Sequence, residues 1–501
     1  MRLYTNLRNP RLLSKICDSM AKLFIFGIGG TGSRVIRSLT MLLASGVKLA
    51  NCDRVVPIII DPDAHNGDMN RTVDMLKSYQ QIYQHLGPRD DGFFQTDVST
   101  LSSISADTNG GVKDTFVFDF GGINQSFRQY LSYDQLSVDS KGLVELLFTQ
   151  DNLESPLTIG FRGSPNVGSI VLNKVVESPE IRFFADNFQA GDRVFFISSI
   201  FGGTGAAGFP LLLKNLKDPN TRLSNAGYLR NALTGAVTVM PYFALQSEDN
   251  SVIDSNSFLT KTKAALSYYE HNLQGLDALY YLADTPDTPY ENQPGGTAQR
   301  NKAHLIELLA ALSVVDFMQY SDAELRNGAP HFHEYGLGTD TQDLNFSHLP
   351  DESRELIAKH LTQLLYFSRY HKQHLPTDKA PYHDNLNLDH ALRNEPIFKE
   401  LNNFLHSPEY GVDEWLKELS QNRRSFRPFD LTTDDFNAMI SGKPVEKKWN
   451  DFFNKGLSQN YFLNQLNDAA KSIHEPDSFR KLVALFDQVT DKAFEEKVKV
   501  V

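Results

Sequence analysis

The chain has 501 residues, 41% hydrophobic and 22% charged, which is ordinary globular usage and excludes wholesale disorder or a collagen-like repeat. At about 150 residues per unit, that length predicts roughly three units and a core that needs no disulfide or metal staples. A net charge of −12 argues against broad binding to a nucleic-acid backbone, and two cysteines, Cys17 and Cys52, exclude a disulfide framework or zinc ribbon and favour a reducing compartment.

Residues 1–19 carry Arg2, Arg8, Arg11 and Lys15 against Asp18 alone. They lack the apolar core and cleavage site of a secretory signal. Met20 directly precedes a strong strand and is an alternative start, which would make 1–19 a dispensable arm. No run of about 18 apolar residues occurs, so no membrane span is expected and the expected location is cytoplasmic.

Leu23 to Phe26 reads as a buried strand, followed by Gly27-Ile28-Gly29-Gly30-Thr31-Gly32-Ser33 and then Val35, Ile36 and Leu39 at helical spacing. Val55 to Ile60 is a second strand, ending in Asp61-Pro62-Asp63, and Thr115 to Phe118 a third. Val194 to Ile197 leads through Gly202-Gly203-Thr204-Gly205-Ala206-Ala207-Gly208 into a helix, Phe209 to Leu216. Ala236 to Met240 and Ala278 to Leu282 complete the strands, and a long apolar helix spans Ala298 to Met318. This alternation predicts an α/β fold, a mostly parallel Rossmann-like sheet covered on both faces. His331 to Pro350 reads as irregular, Glu352 to Tyr370 as helix, and His371 to Asp389 as polar linker. The last hundred residues are mainly helical, as at Asp413 to Leu419 and Phe479 to Phe486.

A glycine-rich turn between a buried strand and a helix exposes backbone N–H groups at the positive end of the helix dipole, where phosphate oxygens fit. One such turn is common to many nucleotide enzymes. Two, about 170 residues apart, are more than a dinucleotide fold needs, and together they neutralise a polyphosphate without lysine. No G-x-x-x-x-G-K-[ST] motif occurs.

At these residues the chain resembles the tubulin and FtsZ superfamily of GTPases, and within it the divergent bacterial tubulin-like group. Phe201 to Pro210 reads FGGTGAAGFP, close to the GGGTGTGAAP of FtsZ. Gly27, Gly29, Gly30 and Gly32 stand at the family's first glycine-rich loop, and Gly160-Phe161-Arg162-Gly163-Ser164-Pro165-Asn166-Val167-Gly168 is similar to its loop near the γ-phosphate. Val237 to Phe243 is similar to the strand that ends in Lys-Pro-Phe, and Asn301-Lys302-Ala303 to the guanine-reading Asn-Glu-Ala at the start of the long helix. The resemblance implies GTP or GDP with Mg2+ as ligands. Gly27, Gly29, Gly30, Thr31, Gly32 and Ser33 with Gly202, Gly203, Thr204, Gly205 and Ala206 would cradle phosphates. Gly163, Ser164, Pro165 and Asn166 would sense the terminal one, and Asn301 would read the base or cap the helix. Asp61 and Asp63 end a strand where ribose or magnesium contacts lie, or form ordinary turn chemistry.

Hydrolysis in that family uses a carboxylate after the long helix that reaches the next subunit's nucleotide. Asp343, Asp351 and Glu352 are the candidates here; Asp351 and Glu352 equally suit the first turn of a helix after Pro350. The implied organisation is an arm (1–19), a nucleotide-binding domain (20–325) containing the helix 298–318, a connecting loop and helix (326–390), and a mainly helical domain (391–501) able to bind a protein partner. Self-assembly head to tail is implied, with no membrane span and no nucleic acid. An adenylating enzyme resembling ubiquitin-activating enzymes is the rival, since Asp61-Pro62-Asp63 with Asn70 and Arg71 suits it, but it leaves the second loop and the absent zinc cysteines unexplained. A non-hydrolysing switch or scaffold keeps every loop. Eight of fourteen histidines lie between His331 and His390 and read as a solvated stretch; no protein metal site is expected. Arg423, Arg424 and Arg427 near Trp415 and Phe426 read as an exposed charged face.

Overall fold

The computed structural model describes residues 21–105, 111–161, 163–245, 255–285, 289–290, 296–336, 341–441 and 456–498. The arm 1–19, with Cys17, as well as Met20 and Arg162, lie outside them.

Seven strands form one sheet: β1 Lys22–Ile28, β2 Arg54–Ile60, β3 Asp97–Val98, β4 Arg193–Ser199, β5 Leu233–Val239, β6 Ala278–Ala283 and β7 His331–Gly336. Their order is β3-β2-β1-β4-β5-β6-β7 and every pairing is parallel, with Phe24 opposite Val56 and Val194, and Tyr280 opposite His333. The fold is therefore α/β. Parallel strands gather all their C-terminal ends on one edge, and the apolar runs of β1, β2, β4 and β5 are what a sheet buried on both faces requires.

The third strand is not Thr115 to Phe118. That segment makes a single bridge, Val117 beside Ile59, while β3 pairs with the start of β2. Pro57 supplies the reason. Val55 and Ile59 turn their backbone groups to this outer edge, accepting from Ser99 N at 2.9 Å and donating to Phe116 O at 2.7 Å. The proline between them has no N–H to give, so the edge breaks into two short pieces. The reading of His331 to Pro350 as irregular is also corrected, because β7 lies inside it. His-Phe-His-Glu-Tyr-Gly has no apolar face, yet an outermost strand tolerates polar residues, and His333 stacks on Tyr280 at 4.6 Å.

Most of each glycine-rich segment is helix rather than loop. α1 spans Gly29–Ala44 and α4 Gly203–Lys217, each opening within a few residues of its strand. Between them come α2 Gly67–Leu86 and α3 Pro165–Leu172, and α5 Ser255–Asn272 follows. α6, the long apolar helix, is Leu305–Gln319 and not 298–318; every residue from Leu305 to Val315 is buried. Its N-cap is His304, whose Nδ1 accepts from Ile306 N at 3.1 Å while Glu307 accepts from His304 N at 3.0 Å. Burial, with Arg34 and Arg424 adding to it, pushes the His304 imidazole down to about 3, so it caps as a neutral acceptor.

The C-terminal region is mainly helical: α7 Asp351–Gln373, α8 Pro396–His406, α9 Val412–Ser420, α10 Gln459–Ala469 and α11 Ser478–Ala493. Of these, α7 packs on α1 and both α8 and α11 pack on α2, and one apolar cluster runs from Leu23 to Val498. Phe367 stacks between Phe93 and Phe486 at 5.3 and 4.5 Å, and the fully buried Trp415 lies with Nε1 3.4 Å from Ser38 Oγ. His371 to Asp389 is not a linker: it holds the end of α7 and two short helices, and His371 and His383 are buried. The expected basic face is likewise tied down, Arg424 to Asp284 at 3.1 Å and Arg427 to Asp343 at 3.3 Å. No helix among the described residues is long and apolar enough to cross a membrane.

Candidate functional site

Three helices begin at one place on the C-terminal edge of the sheet. A Cβ built on Gly29, which adopts φ +73°, would stand 3.5 Å from Thr204 Cβ and 3.7 Å from Gly205 N, so the starts of α1 and α4 touch. A Cβ on Gly203 would stand 3.1 Å from the N atoms of Gly163 and Ser164, which places the start of α3 against α4. The first N–H groups of a helix have no partner within it, and a Ser, Thr, Asp or Asn side chain usually caps them. Here the N-caps are Ile28, Ser164 and Gly202, and none gives a side-chain capping bond. Three uncapped, positively polarised helix ends therefore share one recess, which is an arrangement for an anion carrying several charges.

The expected phosphate residues divide into two groups. Gly29, Gly30, Gly163, Ser164, Gly202, Gly203 and the partly exposed Thr204 surround the recess. Pro165 and Asn166 open α3, with Asn166 exposed. Gly27, Gly32 and Gly205 instead serve close packing. A Cβ on Gly32 would lie 2.5 Å from Gly27 C, and one on Gly205 would lie 2.7 Å from Ser199 O. Ser33 is fully buried and returns its hydroxyl to Gly29 O at 3.3 Å, Ala206 is buried, and Thr31 meets Arg34 at 3.3 Å. Lys261 of α5 donates to Gly163 O at 2.6 Å.

Beside Gly30 lies an amide and carboxylate cluster. A Cβ there would be 3.7 Å from both Asn66 Nδ2 and Gln299 Nε2. Asn66 Nδ2 donates to Asp61 Oδ2 and Gln299 Oε1, each at 3.2 Å, while Gly296 N donates to Asp63 at 2.6 Å. Burial pushes the Asp61 carboxyl up to about 7, with Asp63 and Asp68 adding to the rise. Asn66 is the N-cap of α2, accepting from Asp68 N and Met69 N; neither it nor Gln299 was read from the sequence. Asn301 neither opens nor caps α6. It sits in the segment ahead of His304, its N–H on Asp68 at 3.1 Å and its carbonyl accepting from Arg71.

Under the recess runs a buried charge network that the sequence did not disclose. Arg34 of α1 binds Glu307 at 2.5 Å, Asp68 at 2.7 Å and the Tyr242 hydroxyl at 2.8 Å. Arg71 binds Asp68 at 2.9 Å and Glu418 at 2.6 Å, and Arg37 binds Glu418 at 2.6 Å. Burial opposes charge on Glu418, but Arg37 and Arg71 hold its carboxyl below the usual range. Arg71 thus points into the protein, neither at a phosphate nor at solvent, which removes half of the Asn70 and Arg71 likeness to adenylating enzymes.

Asp343, Asp351 and Glu352 make no described contact with the recess. Asp343 pairs with Ser425 at 2.7 Å, Asp351 with Arg354 at 2.7 Å, and Glu352 lies in the first turn of α7. The residues that directly follow α6 are instead Tyr320 to Arg326. Asp322, 59% exposed, binds Arg193 at 2.7 Å, and Arg193 also reaches Phe317 O and Tyr320 O. Arg193 begins β4, so Asp322 stands at the N-terminal edge of the sheet, opposite the recess.

No family model and no curated protein matches the chain. Among solved structures it is similar to a point mutant of FtsZ from M. jannaschii, with 16% identity over 54% of this chain and 49% of that one and a TM-score of 0.28. It is also similar to CetZ from Methanosaeta thermophila strain DSM 6194, with 15% identity, 61% and 56% coverage and a TM-score of 0.29. The third, CetZ2 from Haloferax volcanii, is a GTPγS-bound protofilament; identity is 12%, coverage 60% of each chain and the TM-score 0.27. The chain spans from about half to three fifths of the length of these proteins.

Proposed function

We propose that the chain binds a nucleoside triphosphate, GTP by its resemblance to the tubulin and FtsZ superfamily, and assembles head to tail with hydrolysis completed between copies. The observation that carries this reading is the meeting of three uncapped helix N-termini at Gly29, Gly203 and Ser164. Their N–H groups suit a chain of phosphates, and the strand-end carboxylates Asp61 and Asp63 flank them. The finer likeness to the divergent bacterial group rests on the wording of the motifs.

Phosphoryl transfer to water asks the protein chiefly for positioning and for stabilising charge on the transferred group. The α1, α3 and α4 N–H groups supply that stabilisation from fixed positions. Asp61, whose burial disfavours a bare carboxylate, fits a neighbouring cation, so Asp61 and Asp63 would hold Mg2+, which neutralises phosphate charge. Among the described residues that surround the recess, none is a base for the water. α6 runs from the recess, at Glu307, to the opposite edge, at Phe317, and is followed by Asp322 and Glu324. Translation of one copy along this axis carries those two carboxylates towards its neighbour's recess, so they replace Asp343, Asp351 and Glu352 as candidates.

The test is pelleting and phosphate release in the same tubes with GTP, ATP or neither, at several protein concentrations. GTP-dependent pelleting with specific activity rising with concentration is expected. Tight GTP binding with neither signal would reduce the reading to a switch, and ATP turnover to pyrophosphate would replace it with an adenylating enzyme.

A further inference from the structure

Parallel sheets bury both faces because their helical crossovers return over them. Among the described residues, that cover is incomplete on one face of β6 and β7. Phe332, Glu334 and Gly336 share this face with their register partners Leu279, Tyr281 and Ala283, while Tyr280, one residue along, bonds Asp316 of α6 on the other face. α5 covers the first face only in part. Between α5 and β7 runs a groove of about 1030 Å³, walled by Leu266, Tyr269 and Leu273 on one side and by Leu279, Tyr281 and Phe332 on the other. Phe332 is 64% exposed. The charged residues lining the groove are Glu270 and Glu334, with no cation among the described lining residues.

We propose that this groove seats residues 1–20 of the same chain. Two observations select that occupant. The first is reach. Ala21 leads into β1 at the N-terminal edge of the sheet, the edge on which Leu276 and Pro330 open the groove. β7 lies four strands from β1, about 19 Å at about 4.8 Å per strand. About six extended residues cover that distance at about 3.3 Å each, which leaves about fourteen to lie in the groove. The second is complementarity. The segment offers Leu3, Leu7, Leu12, Leu13 and Ile16 to apolar walls, and Arg2, Arg8, Arg11 and Lys15 against one acid to a rim of carboxylates. Seating it covers Phe332 and blunts an outermost strand, which otherwise offers backbone groups to other chains.

Hydrogen exchange tests this on the full chain and on a chain that begins at Met20. The amides of His331–Gly336 are expected to exchange about tenfold faster in the shorter chain, and a synthetic peptide of residues 1–20 is expected to restore their protection. In the full chain, Glu270→Lys with Glu334→Lys is expected to release the same amides while those of β1 and β4 stay protected. Equal exchange in the two lengths would overturn the proposal. So would protection of the shorter chain that grows with its own concentration, since a second copy would then own the groove.

Discussion

Glycine at a strand-to-helix turn answers two different demands, and here interatomic distances separate them. Gly205 has no room for a Cβ against Ser199, so Gly205→Ala pushes α4 from the sheet and is expected to cost about 1–3 kcal/mol in a urea titration. Gly30 has its nearest neighbours, the side chains of Arg34, Asn66 and Gln299, at 3.4 Å and beyond, beside the recess. Gly30→Val is therefore expected to fold and to lose nucleotide affinity by about tenfold or more, read by fluorescent-nucleotide titration; unchanged affinity would remove α1 from the site. Asp61 makes a pH prediction. Its carboxyl titrates near 7 when folded and near about 3.9 when unfolded, so the folded chain holds the extra proton across that window. Stability then falls as pH rises from about 4 to 7, by at most about 1.4 kcal/mol per unit. Asp61→Asn is expected to flatten that part of the pH–stability curve and to be the more stable chain above pH 7. The motif made these positions visible, but it cannot tell a glycine that admits a ligand from one that admits a strand.

Among the elements, those with strong periodicity were legible: β1, β2, β4, β5 and the body of α6 fall where their apolar runs put them. Failures have local causes. Pro57 splits an edge that reads as continuous, β7 lacks an apolar face, and α6 starts late because a neutral histidine does the work usually given to serine or aspartate. The attachment of α9 to α1 and α2 left no trace in any pattern, since Glu418 is 381 residues from Arg37. It is nonetheless a strong joint. Glu418→Gln leaves two buried guanidinium groups short of a carboxylate and is expected to cost about 3–5 kcal/mol of unfolding free energy. Glu414→Gln, on the same helix but in a partly exposed pair with Lys417, is expected to change stability by about 0.5 kcal/mol or less. Equal losses in the two variants would mean that the buried network is not the joint.

For the whole molecule, the placing of Asp322 and the recess at opposite edges of one sheet gives the assembly reading its sharpest test. Asp322→Ala is expected to keep GTP affinity and lower phosphate release at every protein concentration, whereas Asp351→Ala leaves both unchanged. Release that follows Asp351 would return the role to the start of α7. The sheet and the glycine turns that meet at the recess were readable because strand and glycine patterns are local. The polar relationships between distant segments were not, because charge carries no periodicity.

The joint at Glu418 also has a meaning in time. A ribosome adds roughly 5–20 residues per second, and Arg71 precedes its partner by 347 residues. Over the about 17–70 seconds between Arg71 and Glu418 the nascent chain adds the rest of the sheet to α1 and α2, and throughout it Arg37 and Arg71 have no carboxylate from α9. The amino-terminal half cannot complete its own interior during that interval. It waits, partly open, for a helix still being translated, and any truncation before Glu418 makes the wait permanent.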